Sequence, residues 1–162
     1  EEAAHAANVA AGDQAWTNTS NALTDDSNFA STPALDDSET TDRLEITNFG
    51  FAVPSSATIV GILATVRRAN GAASVQNLND HTIEIIGGGG TSNNKATATQ
   101  WPLTDEAVEY GGKADLWGLT PTPTDVNGTG FGLAIRADKT DTDPSDPTPE
   151  VYYVKLEVFY NL

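Results

Sequence analysis

The last stretch of the chain carries its clearest hydrophobic pattern. From residue 150 to residue 162, apolar and polar side chains alternate at every second position, and many of the apolar ones are β-branched or aromatic. This period of two predicts a strand with one face in a core and one face in solvent. The residues predicted to share one face are Tyr152, Val154, Leu156, Val158 and Tyr160, with Lys155 and Glu157 on the other.

Other strand patterns precede it at the spacing typical of all-β proteins. Strands are predicted at residues 44–53 (with a bulge near Phe49), 58–68, 82–86, 95–101 and 130–137, and an extended piece at 116–119. Asn70 and Gly71 form a hairpin-type turn signal. Short helical turns are predicted at residues 101–107 and 122–127. On the second strand, the residues predicted to share one face are Val60, Ile62, Ala64 and Val66.

About eight strands without an amphipathic helix predict an all-β fold, namely a two-sheet β-sandwich of the jelly-roll type with short helical turns. The length suits a single domain, which we place at residues 16–162. Residues 1–15, EEAAHAANVAAGDQA, are small and polar with no clear apolar face. We interpret them as an N-terminal arm that is exchanged with a neighbouring subunit.

Charge and composition exclude several classes of function. The 162 residues include 23 acidic and 8 basic side chains, for a net charge of −15. Such a surface repels nucleic acids and anionic membranes, because phosphate binding requires clustered Lys and Arg. The absence of cysteine excludes disulfides, thiolate catalysis and cysteine-ligated zinc. No apolar run reaches the roughly 20 residues of a membrane span.

One acidic loop is a candidate Ca²⁺ site, because clustered carboxylates supply the oxygen ligands that this ion prefers. Its members are Asp138, Asp141, Asp143 and Asp146. The loop lacks the glycine and closing glutamate of an EF-hand, so a solvated loop is the alternative interpretation. A second, weaker acidic cluster consists of Asp36, Asp37, Glu39 and Asp42. No other cofactor is expected.

The pattern does not predict an enzyme. The two histidines, His5 and His81, are far apart in sequence, and any acidic chain offers carboxylate pairs such as Glu84 and Glu157. Gly87 begins a run of four glycines without the Lys-Ser/Thr of a phosphate-binding loop, so we predict a hairpin loop there.

Sugars enter the interpretation in two ways. Exposed aromatic rings can stack on sugar rings, and the candidates for such a platform are Trp16, Trp101, Tyr110 and Trp117. The alternative is that these rings belong to the core. Asn18 and Asn127 begin Asn-x-Ser/Thr sequences and are candidate N-glycosylation sites if the chain is exported.

From Asn48 onwards, the chain resembles a β-sandwich module that recurs in structural proteins of tailed phages, such as decoration and tail proteins, and in bacterial surface proteins. The resemblance rests on segments 48–62 (NFGFAVPSSATIVGI), 94–96, 101–105, 110–112, 115–118, 125–127 and 130–133, and on the closing strand. It implies a building block of a virion or extracellular assembly and brings no catalytic residues. The alanine-rich arm and the acidic segment 138–149 depart from it.

These observations predict a non-catalytic structural subunit of an extracellular filament or surface array that assembles with copies of itself by β-strand addition. A start at Glu1 rather than at methionine is expected of an exported chain whose leader has been removed. The alternatives are a phage virion protein, as a capsid decoration or tail module, and a carbohydrate-binding module.

Overall fold

The structure is a computed structural model that describes residues 1–71, 77–142 and 144–162. Its strands are β1 (His5–Val9), β2 (Ala30–Ser31), β3 (Arg43–Thr47), β4 (Thr58–Asn70), β5 (Leu78–Ile86), β6 (Glu106–Gly112), β7 (Gly132–Lys139) and β8 (Pro149–Asn161). A 3-10 helix covers Thr19–Leu23, and the short α-helix α1 covers Pro123–Asn127.

The strands form two antiparallel sheets, with the orders β1-β3-β7-β5 and β2-β8-β4-β6. Each strand from β1 to β7 is followed along the chain by a strand of the other sheet. The predicted two-sheet β-sandwich is therefore confirmed. Because β4 and β5 lie in different sheets, the prediction of a hairpin turn at Asn70 and Gly71 is wrong.

The core lies between the sheets and follows the predicted alternation in the middle of the long strands. Ile62, Ala64 and Val66 of β4 are fully buried, as are Val154 and Leu156 of β8. These two strands pair with each other along most of their length. Their alternation therefore places one continuous apolar face of this sheet against the other sheet.

Two irregularities in the β4–β8 pairing change the predicted faces near the strand ends. The register shifts between Ile59 and Gly61, and again opposite Tyr152. A bulge adds one residue to a strand, so the residues beyond it face the other way. Ile59 and Val151 are accordingly buried, while Val60 and Tyr152 are only half-buried. The predicted places of Val60 and Tyr152 are wrong for this reason.

Other boundaries differ because local backbone geometry ends or starts a strand. The strand predicted at 44–53 ends at Thr47, because Asn48 (φ 61°) and Gly50 (φ 69°) have left-handed backbone conformations. The predicted piece at 116–119 is a turn in which Trp117 also has a positive φ of 58°. Residues 101–107 are not helical, and β6 begins at Glu106.

The helical turn predicted at 122–127 is confirmed as α1. Thr122 caps it: its hydroxyl accepts from the amide of Asp125, and the Asp125 carboxylate accepts the Thr122 amide at 2.8 Å. This reciprocal pair is a capping box, and Pro123 occupies the first turn, where its missing N–H costs nothing.

The free edge of β5 is covered by an irregular segment instead of the strand predicted at 95–101. Ile85 donates its amide to the Ser92 hydroxyl at 3.0 Å, and Ile83 donates to Asn94 Oδ1 at 2.9 Å. The amide of Lys95 donates to Ile83 O at 2.8 Å. Side-chain oxygens thus take the place of strand carbonyls, which protects this edge from pairing with other chains.

Candidate functional site

The N-terminal arm lies along one side of the sandwich and pairs with both sheets. The Glu1 amino group donates to Leu156 O of β8 at 2.7 Å, and Glu2 forms an antiparallel bridge with Lys155. Four residues later, β1 pairs with β3, and His5 lies opposite Thr47. One continuous segment therefore contacts β8 through an isolated bridge and adds the edge strand β1 to the other sheet.

The arm is held mainly by its backbone. Only Ala3 among the first nine residues is buried, and the exposed side chains of β1 include Val9. Its side-chain contacts are few, such as His5 Nδ1 with Thr47 Oγ1 at 3.3 Å and Glu2 Oε1 with the Tyr153 hydroxyl at 3.3 Å. The arm therefore adds little apolar surface to the core, namely Ala3 and the half-buried Ala6 that packs against it.

Asp42 anchors the far end of the arm. Its carboxylate accepts hydrogen bonds from the amides of Ala11 (2.7 Å) and Gly12 (2.8 Å) and from Asn8 Nδ2 (2.9 Å). The hydrogen bond from the backbone amide of Ala11 is the largest cause that holds the pKa of Asp42 below its ordinary value. The hydrogen bonds from the Asn8 side chain and from the backbone amide of Gly12 lower it further. Its main-chain carbonyl accepts the indole N–H of Trp16 at 2.9 Å. Asp42 therefore ties the end of the arm to the first tryptophan of the core.

Beyond Leu156, the edge of β8 borders a surface groove of about 360 Å³. Since Leu156 directs its N–H and C=O to Glu1, strand alternation directs those of Val158 and Tyr160 to the same edge. The groove lies between the end of β8 and the segment 51–53, and Glu1 lies at its rim. This edge is the natural continuation of the path of the arm.

The acidic loop does not gather its predicted ligands. Asp146 forms an ion pair with Lys139 at 3.0 Å, and Asp141 accepts a hydrogen bond from Asn77. Asp138 lies on β7, where burial raises its pKa, partly offset by His81 and Arg136. Asp143 lies outside the described residues. Within ranges 1–71, 77–142 and 144–162, no three His, Cys, Asp or Glu side chains are placed to hold a metal ion.

The second acidic cluster is divided among separate structural contacts. Asp37 pairs with Lys139 at 2.7 Å. Glu39 accepts from Gln14 Nε2 at 3.0 Å and from the amide of Asp36 at 2.9 Å. Asp42 holds the arm, as described above. Each of these carboxylates therefore makes its own structural contact, and they are not gathered into one site.

The predicted sugar-stacking platform is wrong. Its aromatic rings lie in the core, with exposures of 4% or less, and cannot stack on a sugar: Trp16, Trp101, Tyr110 and Trp117. The alternative interpretation of these rings as core residues is the correct one.

The two candidate glycosylation sites differ in their surroundings. Asn18 is exposed, in a left-handed conformation before the 3-10 helix. The side-chain nitrogen of Asn127, to which a glycan would attach, donates to Val53 O at 2.9 Å, and Asn127 Oδ1 accepts the Val53 amide at 2.9 Å. A glycan on Asn127 would have to break this pair, so Asn18 is the better candidate.

The remaining sequence candidates are scattered. Residues 87–90 form a bend after β5, but no strand among the described residues returns from it to pair with β5, so the predicted hairpin is wrong. Glu84 is half-buried on β5, opposite Ala134, and Glu157 forms an ion pair with Lys155 at 3.4 Å. His81 contacts the Thr82 hydroxyl at 2.9 Å.

A buried ion pair between Arg68 and Asp80 escaped the sequence analysis. Both side chains are fully buried, and Arg68 also lies over the Trp101 ring. Asp80 accepts hydrogen bonds from Trp101 Nε1 and the Tyr110 hydroxyl, both at 2.9 Å, and from the amide of Thr97 at 3.1 Å. Burial lowers the pKa of Arg68 and raises that of Tyr110 to about 12. The sequence did contain a signal for the burial of Arg68. This residue follows Val66 by two positions, so the alternation along β4 places both on the same buried face.

Comparisons with models of protein families, with curated proteins and with solved structures find no match for this chain. In the part of the chain that the structure describes, no helix has the length and apolar character needed to span a bilayer.

Proposed function

We propose that this chain is a non-catalytic structural subunit that assembles with copies of itself into an extracellular filament or surface array. The arm of one copy adds strands to the sheet edges of its neighbour, in place of the neighbour's own arm. The observation that carries this proposal is the arm's pairing with β8 and β3 through backbone hydrogen bonds, with its side chains largely exposed.

Exchange of such an arm costs little free energy. An identical arm from a second copy makes the same hydrogen bonds to β3 and β8. Exchange therefore changes only the path of the chain that links each arm to its own domain. The rest of the core stays closed, because Ala3 is the single buried residue among the first nine. Assembly then depends on concentration and on release of the arm from Asp42.

Disulfide trapping tests the exchange directly, since the chain has no native cysteine. His5 and Thr47 lie opposite each other and their side chains touch, so H5C and T47C place two thiols within bonding reach. When the two single variants are mixed, assembled and oxidised, we expect a covalent heterodimer. Thr65 and Lys155 lie opposite each other on the inner β4–β8 pair, so a mixture of T65C and K155C is the matched control and should stay uncrosslinked.

If the H5C/T47C double variant closes within one chain while the mixed single variants never crosslink, the arm stays on its own domain and the proposal is wrong. Electron microscopy of the assembled material then identifies the type of assembly. A helical polymer of this chain alone supports the filament, whereas copies arranged with capsid or tail symmetry support the virion alternative.

A further inference from the structure

Four polar residues form a block on one face of the β5–β7 pair. Asn79 lies directly opposite Asp138, and the amide of Thr140 reaches Asn77 O one step further along. Alternate residues of a strand share a face, and opposite residues of an antiparallel pair lie side by side. The four side chains therefore occupy neighbouring positions, on the face opposite to the one where Leu78 enters the core.

Three oxygen atoms of this block are buried and accept no hydrogen bond from the described residues. They are Asn77 Oδ1, Asn79 Oδ1 and Asp138 Oδ1. Asn77 is 0% exposed and Asn79 is 9% exposed. An unpaired buried acceptor is costly, so three of them in neighbouring positions favour a bound partner such as a cation or ordered water.

The amide nitrogens of both asparagines are engaged. The contacts of Asn77 fix which way its oxygen points, because both of its partners are acceptors only, whereas the hydroxyl that contacts Asn79 can donate or accept. Asn79 Nδ2 donates to the Thr140 hydroxyl at 2.6 Å. Asn77 Nδ2 donates to Ser145 O at 2.9 Å and to the Asp141 carboxylate at 3.2 Å. The second contact also places a further carboxylate next to Asn77, at the rim of the block.

The neighbouring cations of the protein are directed elsewhere. His81 and Arg136 both interact with Asp138 electrostatically. His81 Nδ1, however, contacts the Thr82 hydroxyl at 2.9 Å, and the Arg136 guanidinium donates to Thr41 O at 3.0 Å. Lys139 directs its ammonium to Asp146 at 3.0 Å. Asp138 Oδ1 therefore accepts no hydrogen bond from these neighbours.

We propose that Asn77, Asn79 and Asp138, with Asp141 at the rim, bind one Ca²⁺ ion. Amide and carboxylate oxygens are the ligands of hard cations, and Ca²⁺ accepts about six to eight of them in flexible geometry. Mg²⁺ demands a near-ideal octahedron and keeps its waters, so it suits this irregular block less well. The site differs from the loop cluster predicted from sequence, because Asn77 and Asn79 take the places of Asp143 and Asp146.

Isothermal titration calorimetry of the full, chelator-treated chain with CaCl₂ tests the site, together with thermal unfolding in CaCl₂ and in MgCl₂. We expect saturable binding of one Ca²⁺ and a higher midpoint of unfolding with Ca²⁺ than with Mg²⁺. D138N should weaken Ca²⁺ binding roughly tenfold or more, because it removes a charged ligand. N79D should strengthen it, a gain that misfolding cannot produce. D146N, which alters the ion pair with Lys139, is the control and should bind like the original chain.

An original chain that shows neither saturable binding nor a Ca²⁺-dependent midpoint overturns the proposal. Equal responses to Ca²⁺ and Mg²⁺ also overturn it, since they indicate general screening of the −15 charge. If D146N loses Ca²⁺ as completely as D138N, the ion belongs to the loop and the strand site is wrong.

Discussion

Arg68 on β4 and Asp80 on β5 form a fully buried ion pair that joins the two sheets of the sandwich. Asp80 also accepts hydrogen bonds from Trp101 and Tyr110, so strands and loops of both sheets meet at one carboxylate. Burial of two charges is costly, and their attraction offsets this cost only when both partners are present.

Removal of one partner of this ion pair should therefore lower the stability of the fold strongly. We expect R68M to lower the free energy of unfolding by about 3–5 kcal/mol, because it leaves a buried carboxylate unpaired. The adjacent R67M is a matched control: Arg67 forms partly exposed pairs with Asp25 and Asp105, and such pairs contribute little to stability because solvent screens them. Urea denaturation followed by tryptophan fluorescence measures both. Equal losses in the two variants would contradict a special role for the buried pair.

Acid should release the arm. The pKa of Asp42 is lowered from its ordinary value of 3.8 by the amides of Ala11, Asn8 and Gly12. A carboxyl group with a lowered folded pKa stabilises the fold above the unfolded value, and this contribution disappears as the pH falls through the folded pKa. We expect the protection factors of the Ala11 and Gly12 amides, which NMR measures relative to the intrinsic exchange rate at each pH, to fall below pH 3.8.

The variant D42N should reproduce this release at neutral pH and cost roughly 1–3 kcal/mol of unfolding free energy, since bonds to a charged acceptor are lost. D36N removes a charge from an exposed aspartate of the same region and serves as the control. If both variants leave exchange at Ala11 unchanged, Asp42 does not anchor the arm.

Gly12 should tolerate no side chain. A Cβ atom there would collide with the carbonyl oxygens of Thr40 and Thr41, which are backbone atoms of a packed segment. We expect G12A to expose the arm to limited proteolysis and to lower the midpoint of thermal unfolding. Gly130 has open space around it, so G130A is the matched control. A G12A protein that resists proteases as well as G130A would show that the arm accommodates the change.

Alkaline conditions should destabilise the fold. Burial is the main cause that raises the pKa of Tyr110, Tyr152 and Tyr153 to about 12 each, from an ordinary value of 10.0. Raised pKa values stabilise the folded state fully below the unfolded value, and the contribution is lost as the pH rises through the folded value. We expect unfolding free energy to fall between pH 10.0 and about 12, with tyrosinate absorbance appearing as the chain unfolds. Titration of these tyrosines in the intact fold near pH 10 would contradict this.

The sequence alone predicted strands correctly where apolar and polar residues alternate regularly. The centre of β8, from Val154 to Val158, and the capped helix α1 follow from local pattern and local hydrogen bonds. Tyr152 was misplaced because a bulge depends on pairing with β4, a partner distant in sequence. Segment 95–101 was predicted as a strand, yet its neighbours Ser92 and Asn94 cover β5 with side chains, which no periodicity reveals.

The functional surfaces were harder to predict than the fold. The alanine-rich arm was recognisable as a separate segment, but its pairing with two sheets depends on contacts such as Glu1 with Leu156, which are 155 positions apart. The loop aspartates attracted attention because they are clustered in sequence. Asn77 and Asn79 did not, because a neutral amide becomes a site only when folding buries its oxygen beside Asp138.

The arm makes two attachments through one covalent chain, to β8 at Glu1 and to β3 from His5 to Val9. Either attachment holds the other near its edge, so the effective local concentration of each is high and a competitor for one edge alone is displaced quickly. A displacing segment must reach both sheets with the same spacing. We expect this bivalency to favour strands with the spacing of the arm over short unrelated peptides.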